Sequence, residues 1–516
     1  MGVAAGADAA DGDDAEPGRP HTDRGEPVAD RRLVAPAIAA WSSAACCLAL
    51  PGRGGLAVGG LLLAGVIVCL RTRRHVVALV LLAAAAAALT AGLRVTHSQA
   101  GTVPALAAAE AVVTADVVLS GDPRVVSGAF GDQVVVEADA ASVTGRGSTV
   151  QGRAPVLVLA DVDSGVGDLA LGTTVRVVAR LAPSDSADLA ALVLVSRVEA
   201  VRADPAWWWT VAGGVRGGVD RATASRGQAG ELVPGLVVGD DSDLTPETVE
   251  DFRTSGLTHL LAVSGTNLTL VLGALLLVAR LVGGRGRGLL VVGVLGAAGF
   301  VLLARPEPSV VRAAAMGLVA LAGLTSGDRR RGLRALCVAV LVLVLVDPWL
   351  SRSVGFALSA LATAAILVLA PTWRDALARW LPRWAAEAVA VPMAAQLACT
   401  PLVAAISGQA SLVAVAANVL VAPAVGPATV LGLVAGLAEV AWAPAGRLVG
   451  WLAVLPAGWI VTVGGVAADL PGADVEWGTS VTACCCSRRS APPSPSAPAG
   501  CCGTGGRAWR SRCCSS

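Results

Sequence analysis

The sequence predicts a polytopic α-helical membrane protein of about eleven spans, with an extracytoplasmic all-β domain inserted after the third span. Three observations carry that prediction. Of 516 residues, 55% are hydrophobic and only 15% charged, with a mean hydropathy of +0.69, whereas a soluble domain is typically about 25% charged. Apolar runs near the roughly 20 residues that a bilayer core requires recur along most of the chain. Between residues 98 and 205 the pattern changes to short β-branched stretches separated by turn residues.

The background composition sets what counts as a signal. All 39 basic residues are arginine, tyrosine is absent, and Ala, Gly and Val abound, the imprint of a GC-rich gene, so Ala-rich or Arg-rich stretches carry little information by themselves. The four histidines, His21, His75, His97 and His259, stand singly. No His-x-His or His-Glu-x-x-His ligand set exists locally, which disfavours metallohydrolase chemistry; neither a metal nor a cofactor is expected. Seven of the twelve cysteines fall after residue 483, and the other five read as small buried hydrophobes.

Taken in order, residues 1–33 hold Asp8, Asp11, Asp13, Asp14 and Glu16 without an apolar run and read as a disordered acidic tail. With no basic n-region ahead of it, the first apolar run is expected to be a retained anchor. Residues 34–97 hold three spans, at about 34–50, 55–70 and 76–93. Arg31, Arg32, Arg71, Arg73 and Arg74 place the flanking segment and second loop on the cytoplasmic side, which sends residue 98 outside. In 98–205, the stretches AVVTADVVL, DQVVVEADAASV, APVLVLADV, TTVRVVARL and ALVLVSRVEAV read as five strands. A small closed or partly open OB-like barrel is the natural way for five strands to avoid bare edges; a sandwich is the other solution.

Trp207, Trp208 and Trp209 are expected at the membrane interface. Residues 206–480 then hold eight apolar runs, at 256–282, 288–304, 309–325, 335–347, 354–371, 388–406, 411–438 and 449–468. Arg280, Arg285 and Arg287, then Arg329, Arg330, Arg331 and Arg334, then Arg374, Arg379 and Arg383 fall in every second connection, so those loops are cytoplasmic and the RPEPS, DPWLSRS and SGQAS loops face out. The parity agrees with an external 98–205 segment.

The most unusual stretch is GLVVGDDSDLTPETVEDFRTSGLTHLLAVSGTNLTLVLGALLLVARL, where an acidic, cap-rich segment runs into a span carrying His259, Ser264, Gly265, Thr266 and Asn267. Polar groups at that depth face a bundle interior or a water-filled cavity, and a Ser-Gly break is tolerated only inside protein. The alternative is a small-residue helix contact whose hydroxyls bond back to their own helix. His259 and Ser264, five residues apart on one helix, would be separated by about 140° of arc, which argues against a nucleophile–base pair. Arg312 either snorkels outward or lines an aqueous path. Gln396 and Asn418 make interhelical hydrogen bonds of about 0.6 kcal/mol each or line a channel, and Pro423 to Pro427 interrupt a late span.

The run GLTHLLAVSGTNL, with VVGDDSDLTPETVEDFRTS before it and RPEPSVVRAAAM, DPWLSRSVGFALSALATAAIL and VPMAAQLACTPLVAAISGQASLVAVAANVLVAPAV after it, resembles the ComEC family. The four motifs occur in order over 232–424, and the resemblance extends over about 34–480, including three leading spans and an OB-like external domain. It implies an inner-membrane channel passing single-stranded DNA in natural competence, working with a DNA receptor and a translocation ATPase. His259, Ser264, Gly265, Asn267, Arg312, Gln396 and Asn418 become candidate channel-lining residues. Two departures stand out. Many relatives have His where this chain has Asn267, and many carry a C-terminal metallo-β-lactamase-like domain whose His/Asp metal cluster is absent here, so no nuclease or other enzymatic activity is expected.

The segment 481–516, rich in Cys, Pro and Ser, carries Cys-Cys-Cys and Cys-Cys runs without His, unlike zinc spacing. Leucine CTG repeats read one base out of frame give cysteine, so a frameshifted translation of a former membrane helix is expected there. Two further readings stay open: a small-molecule or lipid transporter with an external regulatory domain, and a non-functional frameshifted remnant. The external segment also counts against simple DNA binding, with thirteen acids, seven arginines and Phe130 as its one aromatic.

Overall fold

The structure, a computed structural model, describes residues 33–50, 53–99, 101–128, 131–184, 186, 188–261, 265–305, 310–311, 313–315 and 332–476. The expected acidic tail, the Cys-rich segment from 481, Ser264, Arg312 and most of the 309–325 run lie outside the described residues.

Three N-terminal helices come first: α1 (Val34–Cys47), α2 (Gly54–Arg71) and α3 (His75–Gln99), followed by the short α4 (Thr102–Ala108). Each of the five β-branched stretches then forms a strand. They lie in β1 (Val112–Leu119), β3 (Gly131–Gly145), β4 (Ser148–Asp161), β5 (Thr174–Ala182) and β6 (Ala191–Ala203). A sixth strand, β2 (Arg124–Gly128), pairs in a hairpin with β3; five residues beside a Gly turn are too short to display an alternating pattern.

The sheet order is β1-β5-β6-β4-β3-β2, and β1 also pairs with β3, so five strands close on themselves and leave no open edge among them. The β4–β6 pairing is parallel and the others are antiparallel. A register shift between Asp116 and Val117 lets β1 bend between its two neighbours. Alternation sends Val113, Ala115, Val117 and Leu119 of β1, with Val175, Val177, Ala179 and Leu181 of β5, into the interior, where Val103 and Leu106 of α4 join them.

The second helical part comprises α5 (Trp207–Thr223), α6 (Gly227–Val238), α7 (Pro246–Thr254), α8 (Gly265–Leu281), α9 (Arg287–Leu303), α10 (Gly332–Val346), α11 (Val354–Val368), α12 (Ala370–Leu377), α13 (Arg383–Ser407), α14 (Ala414–Ala441) and α15 (Ala443–Ala468). Two three-residue strands, β7 (Gln409–Ser411) and β8 (Asp474–Glu476), pair antiparallel beyond α13 and α15.

Among the described residues, five helices, α2, α3, α13, α14 and α15, are long and apolar enough to cross a membrane, or six if α11 and α12, bent by 45° at their junction, form one span. The shorter apolar helices of 10–17 residues among the described residues are α1, α8 from Asn267 onward, α9 and α10. The chain is thus mostly helical, with a separate β domain. The interruption expected at Pro423 to Pro427 does not occur: both prolines lie inside α14, which runs unbroken over 28 residues. Packed neighbours make a proline tolerable in a buried apolar helix.

Two apolar clusters organise the helices. Val219, Leu232, Leu236, Phe252, Val421 and Ile460 unite α5, α6, α7, α14 and α15. The N-terminal helices pack instead on α10 and α11: Trp41 lies edge-on to Phe356 at 4.8 Å and donates its indole N–H to the Ser351 carbonyl at 2.8 Å.

Candidate functional site

The C-terminus of α6 is the organising point. Leu232 to Val238 are fully buried, and the helix stops at Gly239 in a left-handed conformation (φ +76°) whose N–H reaches the Pro234 and Gly235 carbonyls. The last carbonyls of a helix have no partner within it, and buried ones must find donors elsewhere. Asn267, fully buried near the start of α8, donates Nδ2 to the Leu236 carbonyl at 2.8 Å. Arg216 of α5 donates Nη1 to the Val238 carbonyl at 2.5 Å and to the Leu303 carbonyl at 3.1 Å. One guanidinium therefore caps α6 and α9 together, at the ends where a helix dipole favours positive charge.

The same arginine ties the helices to the barrel. Its Nη2 lies 3.5 Å from Asp122 in the β1–β2 connection and 3.5 Å from Asp240 just past α6. Arg305, two residues past α9, grips Asp122 with both prongs, Nε to Oδ2 at 2.8 Å and Nη2 to Oδ1 at 2.6 Å. Its guanidinium also stands 5.8 Å over the Trp209 ring. Trp209 in turn fills the space beside Gly172, where a Cβ would lie 2.7 Å from the indole. Trp207 and Trp208 are exposed, so only two of the three tryptophans are free to meet an interface. The side chains of Arg216 and Arg305 are 11% and 13% exposed, that of Asp122 32%. Burial works against the Arg216 charge while Asp122 and Asp240 support it. Burial, helped by Asp240, also pushes the nearby Asp220 carboxyl up to about 6.

The acidic, cap-rich segment folds as its residue types dictate. Asp240 accepts from the Ser242 hydroxyl at 2.7 Å, and Thr245 caps α7 by accepting from the Thr248 N–H at 3.3 Å, with Pro246 at the first helical position. The Gln228 side-chain carbonyl of α6 accepts from Thr245 and Thr248, pinning α7 to α6. Just past the cap of α7 the chain turns at Gly256 (φ +73°), where a Cβ would lie 2.5 Å from that of Ala414 at the start of α14.

The single helix expected through 256–282 is therefore broken. His259 sits exposed in a 3₁₀ turn, Thr258–Leu260, and α8 begins at Gly265 against Ala313. The arc separating His259 from Ser264 on one helix does not apply, because left-handed Gly256 and the turn after it redirect the chain. Asn418 donates to the Ala414 carbonyl of its own helix at 2.8 Å rather than across helices. Residues 258–260 and Asn418 thus flank the Gly256–Ala414 contact, while Asn267 joins the Arg216 junction through α6. Gln396 is half-buried in α13, whose Cys399 thiol approaches the Leu358 carbonyl of α11 at 3.5 Å.

Sequence reasoning missed Arg216, Arg305, Asp122 and Trp209 as a group. Arg305 opens the RPEPS motif, but Arg216 is one arginine between glycines on an amphipathic helix, where this composition offers no contrast. Five of the seven arginines in 98–205 are engaged by acids: Arg176 pairs with Asp116 through two 2.6 Å contacts, Arg153 with Asp139 at 3.3 Å, Arg197 with Glu199 at 3.2 Å, Arg202 with Asp116 at 4.0 Å, and Arg180 with Glu110. The Arg176 guanidinium holds the Asp116 carboxyl below its usual value of 3.8.

Comparison with known proteins places this arrangement. The sequence model of the family described as "Competence protein" matches residues 236–487, which include Asp240, Asn267 and Arg305 but neither Arg216 nor Asp122. ComE operon protein 3 of Bacillus subtilis (strain 168) is 27% identical over 206 residues, covering 40% of this chain. The match spans only 26% of that protein's length. No solved structure matches. The match begins in the last turn of α6 and runs beyond α15, and together with the Bacillus relative it supports a ComEC-family competence protein.

Proposed function

We propose that this protein is a component of a channel in the cytoplasmic membrane for uptake of single-stranded DNA during natural competence. Residues 98–205 form its extracytoplasmic, OB-like receiving domain, and residues 34–97 and 206–480 supply about eleven spans, the shorter apolar helices included. The observation that carries the reading is the competence-family match over the helices that converge on Arg216 and Asn267. The closed five-strand ring with one parallel pair supports the OB-like assignment. In such barrels the loop between the first two barrel strands contacts oligonucleotides, and here that connection, between β1 and β3, carries Asp122. Because most of the barrel's arginines are engaged by acids, the search for phosphate contacts turns to the helical mouth. His259, Ser264, Gly265, Asn267, Arg312, Gln396 and Asn418 are the polar side chains and break points that would line the path.

The test is binding of a fluorescein-labelled single-stranded oligonucleotide to the purified full chain, followed by anisotropy over a salt series. Binding that weakens steeply with salt, in proportion to the phosphates contacted, and that exceeds binding of the same sequence as a duplex is the expected result. Absence of salt-sensitive binding at any ionic strength would refute the reading.

A further inference from the structure

Two guanidiniums converge on one carboxylate at the face where helices meet barrel, and this arrangement is more than a docking contact needs. Arg305 engages both oxygens of Asp122 in a fork, the geometry by which arginine holds a phosphate as readily as a carboxylate. Arg216 approaches the same carboxylate from the other side at 3.5 Å. Arg216 is held independently of Asp122 by the Val238 and Leu303 carbonyls, and Arg305 has the Trp209 ring, 5.8 Å away, as a second contact. Arg305 also holds a left-handed backbone (φ +68°) just past the cap of α9, the conformation in which helices commonly end, and this turns the chain toward the barrel.

Asp122 is the replaceable partner. It belongs to the other module, just past the last backbone anchors of its segment, Ser120 and Gly121 on the Glu137 carbonyl, and it is the most accessible of the three groups. Buried ion pairs are weak stabilisers because desolvation offsets their attraction, so docking alone does not account for two buried arginines on one acid. Withdrawal of Asp122 leaves the two guanidiniums facing Asp240, with the buried Asp220 carboxyl nearby, and frees the hydrogen-bonding edge of Arg305.

We propose that Arg216 and Arg305 form a phosphodiester site at the barrel-facing mouth of the helical part, and that the Asp122 carboxylate occupies it as an internal stand-in until a phosphodiester displaces it. The ligand assignment rests on the DNA-uptake reading above. A phospholipid headgroup offers the same chemistry, and the probes below separate the two sources.

The experiment uses the full chain in a maltoside detergent, which carries no phosphate, with two probes: a labelled single-stranded oligonucleotide and short-chain phosphatidylglycerol. Asp122→Asn should bind the oligonucleotide about tenfold more tightly than the parent, Asp122→Glu should match the parent, and adding Arg305→Gln to Asp122→Asn should abolish the gain. A gain for phosphatidylglycerol alone keeps the anion site and overturns its assignment to DNA. Parent binding without any gain in Asp122→Asn overturns the site while the uptake reading stands. If Asp122→Asn does not fold, Arg305→Gln decides: a several-fold loss of oligonucleotide affinity supports the site, and unchanged affinity overturns it.

Discussion

Asn267 shows how one side chain serves two purposes that sequence cannot separate. It stands out as a polar residue at the head of an apolar run, but its partner, a carbonyl 31 positions earlier, becomes visible only once α6 and α8 are packed. Replacing it with Ala leaves a buried carbonyl without a donor, which costs about 1–3 kcal/mol. Asn267→Ala should therefore lower the thermal midpoint in detergent, whereas Asn267→His, which keeps a ring N–H donor, should recover part of the loss. Equal losses for the two would deny the capping role. Asp116 offers a pH test in the barrel. Its carboxyl is held below 3.8 by Arg176, so the pair's contribution is fully present above pH 4 and lost as pH falls through the depressed value. Asp116→Asn should cost about 1 kcal/mol at neutral pH and flatten the acid side of the stability profile; a profile as steep as the parent's would exclude Asp116 as the group responsible. Arg216 was illegible for the opposite reason to Asn267. In a chain whose cations are all arginine, one more on an amphipathic helix carries no contrast, and its worth lies in two helix ends from distant parts of the sequence.

At the scale of elements, the strands were legible because alternation and turn residues are local signals. Closure of the ring was not, since β1 must pair with both β5 and β3 through a bulge that no local pattern announces. Helix existence was legible from hydropathy, and so was the break between 282 and 288 that separates α8 from α9, but the turn after Gly256, which delays the start of the helix expected from 256, was not. What joins α5 to the two longest helices is small-residue contact, as expected where apolar surroundings provide little drive for association. A Cβ on Gly450 of α15 would lie 2.2 Å from the Ala222 carbonyl oxygen of α5, and that backbone cannot yield without moving the helix. Gly450→Ala should destabilise the protein by about 1–3 kcal/mol. Gly60→Ala on α2, with nothing within 4 Å of the added carbon, should be neutral or slightly stabilising. Equal effects at the two positions would mean that α5 does not hold its seat through this contact.

At the scale of the whole molecule, the junction links sequence charge to orientation. Arg305 follows α9 by two residues and binds the barrel, so the C-terminal end of α9 and the barrel share a side. The N-terminal end of α9 begins at Arg287, beside Arg280 and Arg285, in a loop that the excess of arginine assigns to the cytoplasm. At about 1.5 Å per residue the 17 residues of α9 reach about 25 Å, short of a core of about 30 Å, so the flanking Gly-Arg loop and the Trp209–Arg305 pair must complete the crossing. If α9 crosses, the barrel is external, and the arginine count and the Asp122 contact, which are independent, agree. In a background freed of native cysteines, a membrane-impermeant maleimide should label Val126→Cys in the barrel of intact cells and reach Val282→Cys only after lysis. Labelling of both from outside would mean that α9 turns back within the membrane, and the reverse pattern would mean that the barrel faces the cytoplasm. Either outcome would remove Arg305 from the entrance of the path, since a DNA-receiving domain must lie on the side from which DNA arrives.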